Sequence, residues 1–467
     1  MIGKLKSAAA NKEWVEILFT LLIVSFPFGS FLLSFSIGFM ILYPYLVLVC
    51  ILALLALWMP RNETSKLSRL YLLFLLLFFS YAFVGFFFIP AKSYALIDIR
   101  SIVLMLLTTW VFIAVRNFLG FKKWKTIILF SFKIIFVLII CFGLFEILSG
   151  WHVTGAFTEK ISTRGLKDNM SYIPVFLWDN PNNFMVYVLL IGSVIILLES
   201  KSRKKNYETI TILFIALMMA VVTEARIAQF TVIIISLVYG IARFTELKNS
   251  FSRKQVYFIL VVLVGLIYVV GTQTFFKEIP HASATKISAT EPLYPVPAGG
   301  KRLRAKVLDI YASDTILSVN HVSKDKRNSK DERLALIRNG LDFTKESHYL
   351  GIGPGQYRFR HDQNQIRHHA FGNNGAHFWL IELLSQYGIL IFGIYAGILL
   401  WAIVLVTRNY GKSNELAFGI LVGFLAFGCA MLLPSAFLIL DIHWIFTVIW
   451  IVSAGEFYTR KSSTAEC

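Results

Sequence analysis

Apolar residues in this chain come in long runs separated by short polar stretches. Twelve such runs can be placed, near 14–33, 37–59, 70–90, 99–119, 126–149, 182–199, 208–223, 227–244, 256–274, 377–406, 415–433 and 436–456. A helix of about 20 apolar residues crosses a hydrocarbon core of about 30 Å, so the pattern predicts membrane crossings rather than soluble domains. The first run lacks a small-residue cleavage site, and a second run follows it at once. It reads as a retained helix, not a cleaved signal.

The polar stretches alternate in charge. Lys4, Lys6 and Lys12 precede the first run, and Arg61, Lys66 and Arg69 follow the second. Arg116, Lys122, Lys123 and Lys125 follow the fourth, and Lys201, Arg203, Lys204 and Lys205 the sixth. The same holds after the eighth, tenth and twelfth runs. Basic connections stay in the cytoplasm, which predicts cytoplasmic termini and outward-facing connections between. Two of the outward connections are long, 150–181 and 275–376. The expected fold is an all-α polytopic membrane protein of about twelve transmembrane helices with one large, partly helical periplasmic loop. Its division is 1–274 for spans one to nine, 275–376 for the loop, and 377–467 for spans ten to twelve.

Composition agrees: 57% of residues are hydrophobic and 15% charged, against about 25% charged in soluble proteins. The net charge of +18 belongs with the basic connections, and no nucleic-acid partner is expected. The large loop carries sixteen Lys and Arg against ten Asp and Glu. Long loops cross the membrane regardless of charge. Its positive balance fits either an anionic partner such as a pyrophosphate or a solvated face beside anionic lipid. Cys50, Cys141 and Cys429 lie in apolar runs and Cys467 is terminal. Neither a disulfide framework nor a Cys-based zinc site is implied in the loop.

Within the loop, Ser329-Lys330-Asp331-Glu332 has the spacing of a capping box and predicts a helix start. Leu334, Ile337 and Leu341 then share one helical face, flanked on opposite sides by Arg333 and Arg338. Geometry leaves open which arginine meets a substrate. Leu350-Gly351-Ile352-Gly353-Pro354-Gly355 follows. Such a run makes a tight turn whose backbone donors can cradle an anion, or simply joins a helix to a loop. Arg358, Arg360, His361, Arg367, His368 and His369 crowd the approach to the tenth run, and His377 opens it. A histidine there can serve as a general base near neutral pH. The adjacent His368–His369 pair diverges and is a poor chelator, so no metal is expected.

Three further outer positions stand out. Thr223-Glu224-Ala225-Arg226 joins two runs with almost no loop, which holds Arg226 at the membrane surface. Asp179-Asn180-Pro181-Asn182-Asn183 looks like the start of the sixth span. Asp441 and His443 lie near the outer end of the last run, and ionisable groups at such depth are functional candidates or buried structural pairs.

Together these segments resemble the O-antigen ligase and polymerase superfamily of bacterial inner-membrane enzymes. Asn180-Pro181-Asn182-Asn183-Phe184 is similar to that family's Asn-Pro-Asn span start. Thr223-Glu224-Ala225-Arg226 resembles its Ser-Arg turn, with Ala225 in place of Ser. Arg333 with the following helix and Gly351-Ile352-Gly353-Pro354-Gly355 resembles its Arg-helix-glycine stretch. His377 through Tyr387-Gly388 resembles its His-bearing span entry, although Phe378 replaces the usual Asn and the acid usually found before the Gly is shifted, since Gln386-Tyr387 precedes Gly388. The likeness covers roughly 175–400.

The resemblance implies a metal-independent, inverting glycosyltransferase with an undecaprenyl pyrophosphate-linked glycan as donor and no cofactor. Arg226, Arg333 and Arg338 would hold the pyrophosphate, and His377 would take the acceptor's proton. Asn182, Gly351, Gly353, Gly355 and Asp441 would support them. The acceptor is expected to be lipid A-core, in an O-antigen ligation. A surface-polysaccharide polymerase and a protein O-oligosaccharyltransferase are the alternatives within the family. A lipid or polysaccharide permease is the alternative from another class, and it would need no base. Membrane lipids are the surroundings, and the expected place is the bacterial inner membrane.

Overall fold

The computed structural model describes residues 11–29, 35–37, 40–59, 64–152, 173–178, 180–199, 203–223, 225–246, 329–368, 375–376, 378–408, 414–430 and 441–465. The described part is almost wholly helical. α1 (Lys12–Ser25), α2 (Pro44–Ala56), α3 (Lys66–Phe88), α4 (Lys92–Leu119) and α5 (Phe121–Ser149) come first. α6 (Pro181–Leu198), α7 (Arg203–Val222) and α8 (Arg226–Glu246) follow. α9 (Ser329–Glu346) and the short α10 (Gln356–Asp362) belong to the large loop, and α11 (Trp379–Arg408), α12 (Asn414–Ala430) and α13 (Asp441–Ala465) complete the chain. Among the described residues five helices are long and apolar enough to span a membrane: α3, α4, α5, α6 and α11. The chain is therefore a multi-pass membrane protein. The run at 256–274 lies outside the described residues.

The other predicted runs fall on helices, but the first two are cut short. α1 stops at Ser25, and a 3-10 turn over Phe26–Phe28 with Pro27 in it ends the run. A two-stranded antiparallel hairpin, β1 (Phe35–Ile37) and β2 (Met40–Leu42), then takes the gap between the two runs and the opening of the second, which was expected to be helical. The reason is local. Gly29, Ser30, Ser34, Ser36 and Gly38 break up the apolar stretch with poor helix formers. Pro44, at the first position of α2, is where helix resumes.

Helix starts elsewhere follow capping chemistry. Asn11 Oδ1 accepts from the Glu13 and Trp14 N–H groups, and Ser65 Oγ from Ser68 N–H. Asn180 Oδ1 accepts from Asn182 N–H at 2.8 Å, with Pro181 as the first helical residue. Each satisfies a donor that the helix itself leaves unbonded.

α6 is central, with 83% of its apolar window buried against 28% for α3. It packs on α5, α7, α12 and α13, while the outer faces of α3 and α5 present Leu73, Phe87, Phe88 and Leu148. Such surfaces suit lipid. The two ends of the bundle differ. At one end Arg116 pairs with Glu456, and Asn117 donates to Thr64 Oγ1 at 2.8 Å. At the other end α10 packs on α4 and α11. Asp98 and Arg116 mark the two ends of α4, eighteen residues apart, or about 27 Å along a helix. That length matches a bilayer core.

Candidate functional site

The site is built where the loop meets the broken start of α11. Gly388 interrupts that helix with φ 74° and ψ 178°. The Ser385 and Gln386 carbonyls then lose their usual donors. Ile352 N–H takes the first and Gly353 N–H the second, each at 2.9 Å, while Ile389 N–H turns to Tyr349 O at 2.9 Å. Tyr81 on α3 donates its hydroxyl to Leu350 O. Gly351 N–H donates to Ser347 Oγ at 3.0 Å, and Gly355 N–H to Asp98 Oδ2 at 2.8 Å. The donors of the glycine run are thus engaged in docking the loop, not arranged to cradle an anion.

Space explains the glycines as well as torsion does. A Cβ on Gly355 would lie 2.4 Å from the Tyr94 carbonyl carbon, and one on Gly388 2.4 Å from Leu350 O. Both residues also hold positive φ. Gly355→Ala is expected to destabilise the docked loop by about 1–3 kcal/mol from backbone strain alone. Faster tryptic cleavage after Arg358 and Arg360 in the variant would report it; unchanged cleavage would count against the docking.

Helix α9 sits on α11. Its buried face is Leu336, Asn339, Gly340, Phe343 and Thr344, whereas Leu334 and Leu341 are 43% and 40% exposed. The stripe picked out in the sequence is thus largely exposed at Leu334 and Leu341 and half-buried at Ile337, and a neighbouring face packs instead. The reason lies in the partner: Ile381 of α11 reaches within 2.2 Å of where a Gly340 Cβ would stand, so only the Gly340 face can approach. Asn339 completes that face. Its amide donates to His368 O at 2.7 Å and accepts from His368 N–H at 2.9 Å. Tyr357 donates to Leu336 O at 2.7 Å. Burial, with Glu382's charge adding to it, pushes the Tyr357 hydroxyl well above its ordinary value, so it remains a donor.

The cationic approach to α11 is largely paired within the loop. Arg360 and Arg367 share Glu346, at 2.7 and 3.0 Å, and Arg360 also lies over the Phe343 ring. His368 Nε2 stands 3.4 Å from Asp342 Oδ2.

The residues singled out in the sequence are distributed around this docked loop. Arg226 is the first residue of α8 and is exposed. The turn before it is held by Ala220 O, which accepts from Ala225 N–H at 3.2 Å and Gln229 Nε2 at 3.0 Å. Arg333 is half-buried on α9 and engaged in contacts there, while Arg338 is exposed. Asn182 is half-buried and supplies the N–H that Asn180 caps. Gly351, Gly353 and Gly355 dock the loop as described. Asp441 is the first residue of α13 and is half-buried. His377 and His369 lie outside the described residues; Ala376 before His377 is buried and Trp379 after it opens α11.

Two polar residues escaped the sequence reading, Asp98 and Arg100. The signal was there, since Arg100 interrupts the fourth run and Asp98 stands just before it. Placing that run's edge at residue 99 left Asp98 outside it.

Helical bundle and docked loop together define a multi-pass membrane protein with a folded loop packed at one end. Residues 211–396 match the family model described as O-antigen ligase. The match bears out the resemblance carried by the motifs, and the matched segment includes Arg226, the α9 arginines, the glycine run and His377. The Asn180–Phe184 segment, Asp98 and Asp441 lie outside it. A curated relative, the teichuronic acid biosynthesis protein TuaE of Bacillus subtilis (strain 168), is 23% identical over 144 residues. That similarity covers 29% of this chain and 28% of the relative, so the chain is matched to little more than a quarter of that protein.

Proposed function

We propose that this protein is a glycosyltransferase of surface-polysaccharide assembly, acting on the outer side of the bacterial inner membrane with its termini in the cytoplasm. The donor is a glycan on undecaprenyl pyrophosphate. An acceptor hydroxyl attacks the anomeric carbon from the face opposite the pyrophosphate. The new C–O bond forms as the bond to the pyrophosphate oxygen breaks, the configuration inverts, and His377 takes the hydroxyl proton. Arg226, Arg333 and Arg338 hold the leaving pyrophosphate, which gathers negative charge as it departs. Fixed cations aimed at developing charge are often the largest catalytic contribution, and the step uses no metal or cofactor.

One observation carries this reading: a single family match runs from before Arg226 to beyond His377. Support also comes from the docking of the α9–glycine unit onto the span that His377 precedes. The acceptor we favour is lipid A-core, as the family's description as a ligase implies. The relative named for teichuronic acid biosynthesis favours a second reading, chain polymerisation.

Deleting the gene and running a lipopolysaccharide gel separates them. Loss of a ligase leaves bare core while lipid-linked polymer accumulates; loss of a polymerase leaves core capped with a single repeat. An unchanged ladder would contradict both. The orientation has its own check. A reporter fused at Asn320 is expected to be active only outside the cytoplasm, and one at Lys204 only inside. A cytoplasmic Asn320 would put the loop on the wrong side for this reaction.

A further inference from the structure

Asp98 lies less than two turns into α4 and is 8% exposed. Its Oδ2 accepts Gly355 N–H at 2.8 Å and the Tyr387 hydroxyl at 2.9 Å. The Gln386 side chain and the charge of Arg358 on α10 also act on this carboxylate. One carboxylate is therefore the meeting point of α4, the glycine run and the broken start of α11. A buried carboxylate is costly unless partnered, and an apolar residue would pack there without that cost. What Asp98 adds is a single acceptor for donors from two separate elements.

We propose that Asp98 is a positioning residue for glycan transfer. It pins the Gly351–Gly355 loop to α11 at Tyr387 and so holds α9, with Arg333 and Arg338, in register with the start of that helix, which His377 precedes in the sequence. The proposal rests on the reading of Arg333, Arg338 and His377 given above. It adds a residue outside the family-matched segment, on a helix that carries none of the proposed catalytic groups.

The geometry also says which substitution should be tolerated. In Asp98→Asn an amide oxygen can still accept both donors. Gln386 Oε1 is buried with no hydrogen-bond partner among the described residues, so that amide can turn over to meet the new N–H. In Asp98→Ala both donors lose their acceptor. Hydrogen bonds to a charged group are each worth enough that losing one can change a rate about tenfold.

The test uses the full-length protein in vesicles, with two readouts. The first is steady-state transfer from an undecaprenyl pyrophosphate-linked glycan, per folded molecule. The second is a short thiol cross-link between Tyr349→Cys and Ile389→Cys, in a background with the native cysteines replaced. Their side chains are 51% and 58% exposed while their backbones are hydrogen-bonded, so the pair reports docking with little disturbance. Asp98→Ala is expected to lower kcat at least tenfold with donor KM changed less than threefold, and to slow the cross-link. Asp98→Asn is expected to keep both close to the parent. Tyr387→Phe, a milder change that keeps the fold if Asp98→Ala does not, is expected to lower kcat and slow the cross-link to a lesser degree.

An Asp98→Ala or Tyr387→Phe protein with parental kcat would overturn the proposal. So would Asp98→Asn as damaged as Asp98→Ala, or a cross-link that neither variant slows. If the parent protein itself transfers no sugar, the proposed reaction fails, and the cross-link still decides whether Asp98 holds the loop.

Discussion

His377→Ala is expected to lower glycan transfer by roughly 100- to 10,000-fold, the usual loss when a general base is removed, while the donor still binds. The acceptor hydroxyl is a poor nucleophile until its proton has somewhere to go. In the sequence His377 falls between α10 and the start of α11, one residue after Ala376. On the proposed reaction it would act at the lip of that span, where a lipid-linked pyrophosphate is presented. Activity is expected to fall as pH drops and the imidazole becomes protonated, because a charged imidazole cannot accept a proton. His368→Ala serves as the control. Its ring is already committed to Asp342 at 3.4 Å, and its backbone is held by Asn339. That variant is expected to transfer nearly as well as the parent. Comparable losses at both positions would mean that a general disturbance of the loop, not a base, was being measured.

Arg226→Lys and Arg333→Lys are each expected to lower transfer by roughly tenfold or more with charge conserved, because a point charge does not replace a bidentate fork on phosphate. The two residues come from different elements: Arg226 begins α8, and Arg333 lies on the first part of α9. Neither substitution alters net charge, so the amount of protein reaching the membrane should stay normal. The measurement is transfer per folded molecule, set beside donor affinity. If Arg338→Lys is the damaging change and Arg333→Lys is not, the pyrophosphate meets the exposed side of α9. If Lys serves as well as Arg at all three positions, these residues do not grip a pyrophosphate as proposed.

Much of the membrane architecture was legible because it depends on one coarse variable, the length of apolar runs. α3, α4, α5, α6 and α11 all lie where such runs predict them. The hairpin after α1 was not legible, because the runs on either side of residues 34–36 are mostly apolar and only scattered glycine and serine residues oppose a helix. The Ser329 start of α9 was readable from capping chemistry, but the face that packs was not. Leu334, Ile337 and Leu341 form the more apolar stripe, yet the close approach of Ile381 selects the Gly340 face. The glycine run was readable as a turn. Its use was not, because the acceptors for Ile352 and Gly353 come from a helix break more than thirty residues further on. Asp98 illustrates the same limit: its partners lie 257 and 289 residues away, and no local pattern announces them.

The most direct measurement is reconstituted transfer with purified protein, a purified lipid-linked glycan donor and a defined acceptor, with chelator present and no metal added. Parent and His377→Ala proteins are compared for product and for released undecaprenyl pyrophosphate. The account predicts product and lipid pyrophosphate in equal amounts from the parent, undiminished by chelator, and almost none from His377→Ala. Near-normal turnover by His377→Ala would contradict the assignment of the base. Loss of the parent's activity on chelation would contradict the metal-independent mechanism, and no transfer by the parent would contradict the proposed reaction itself.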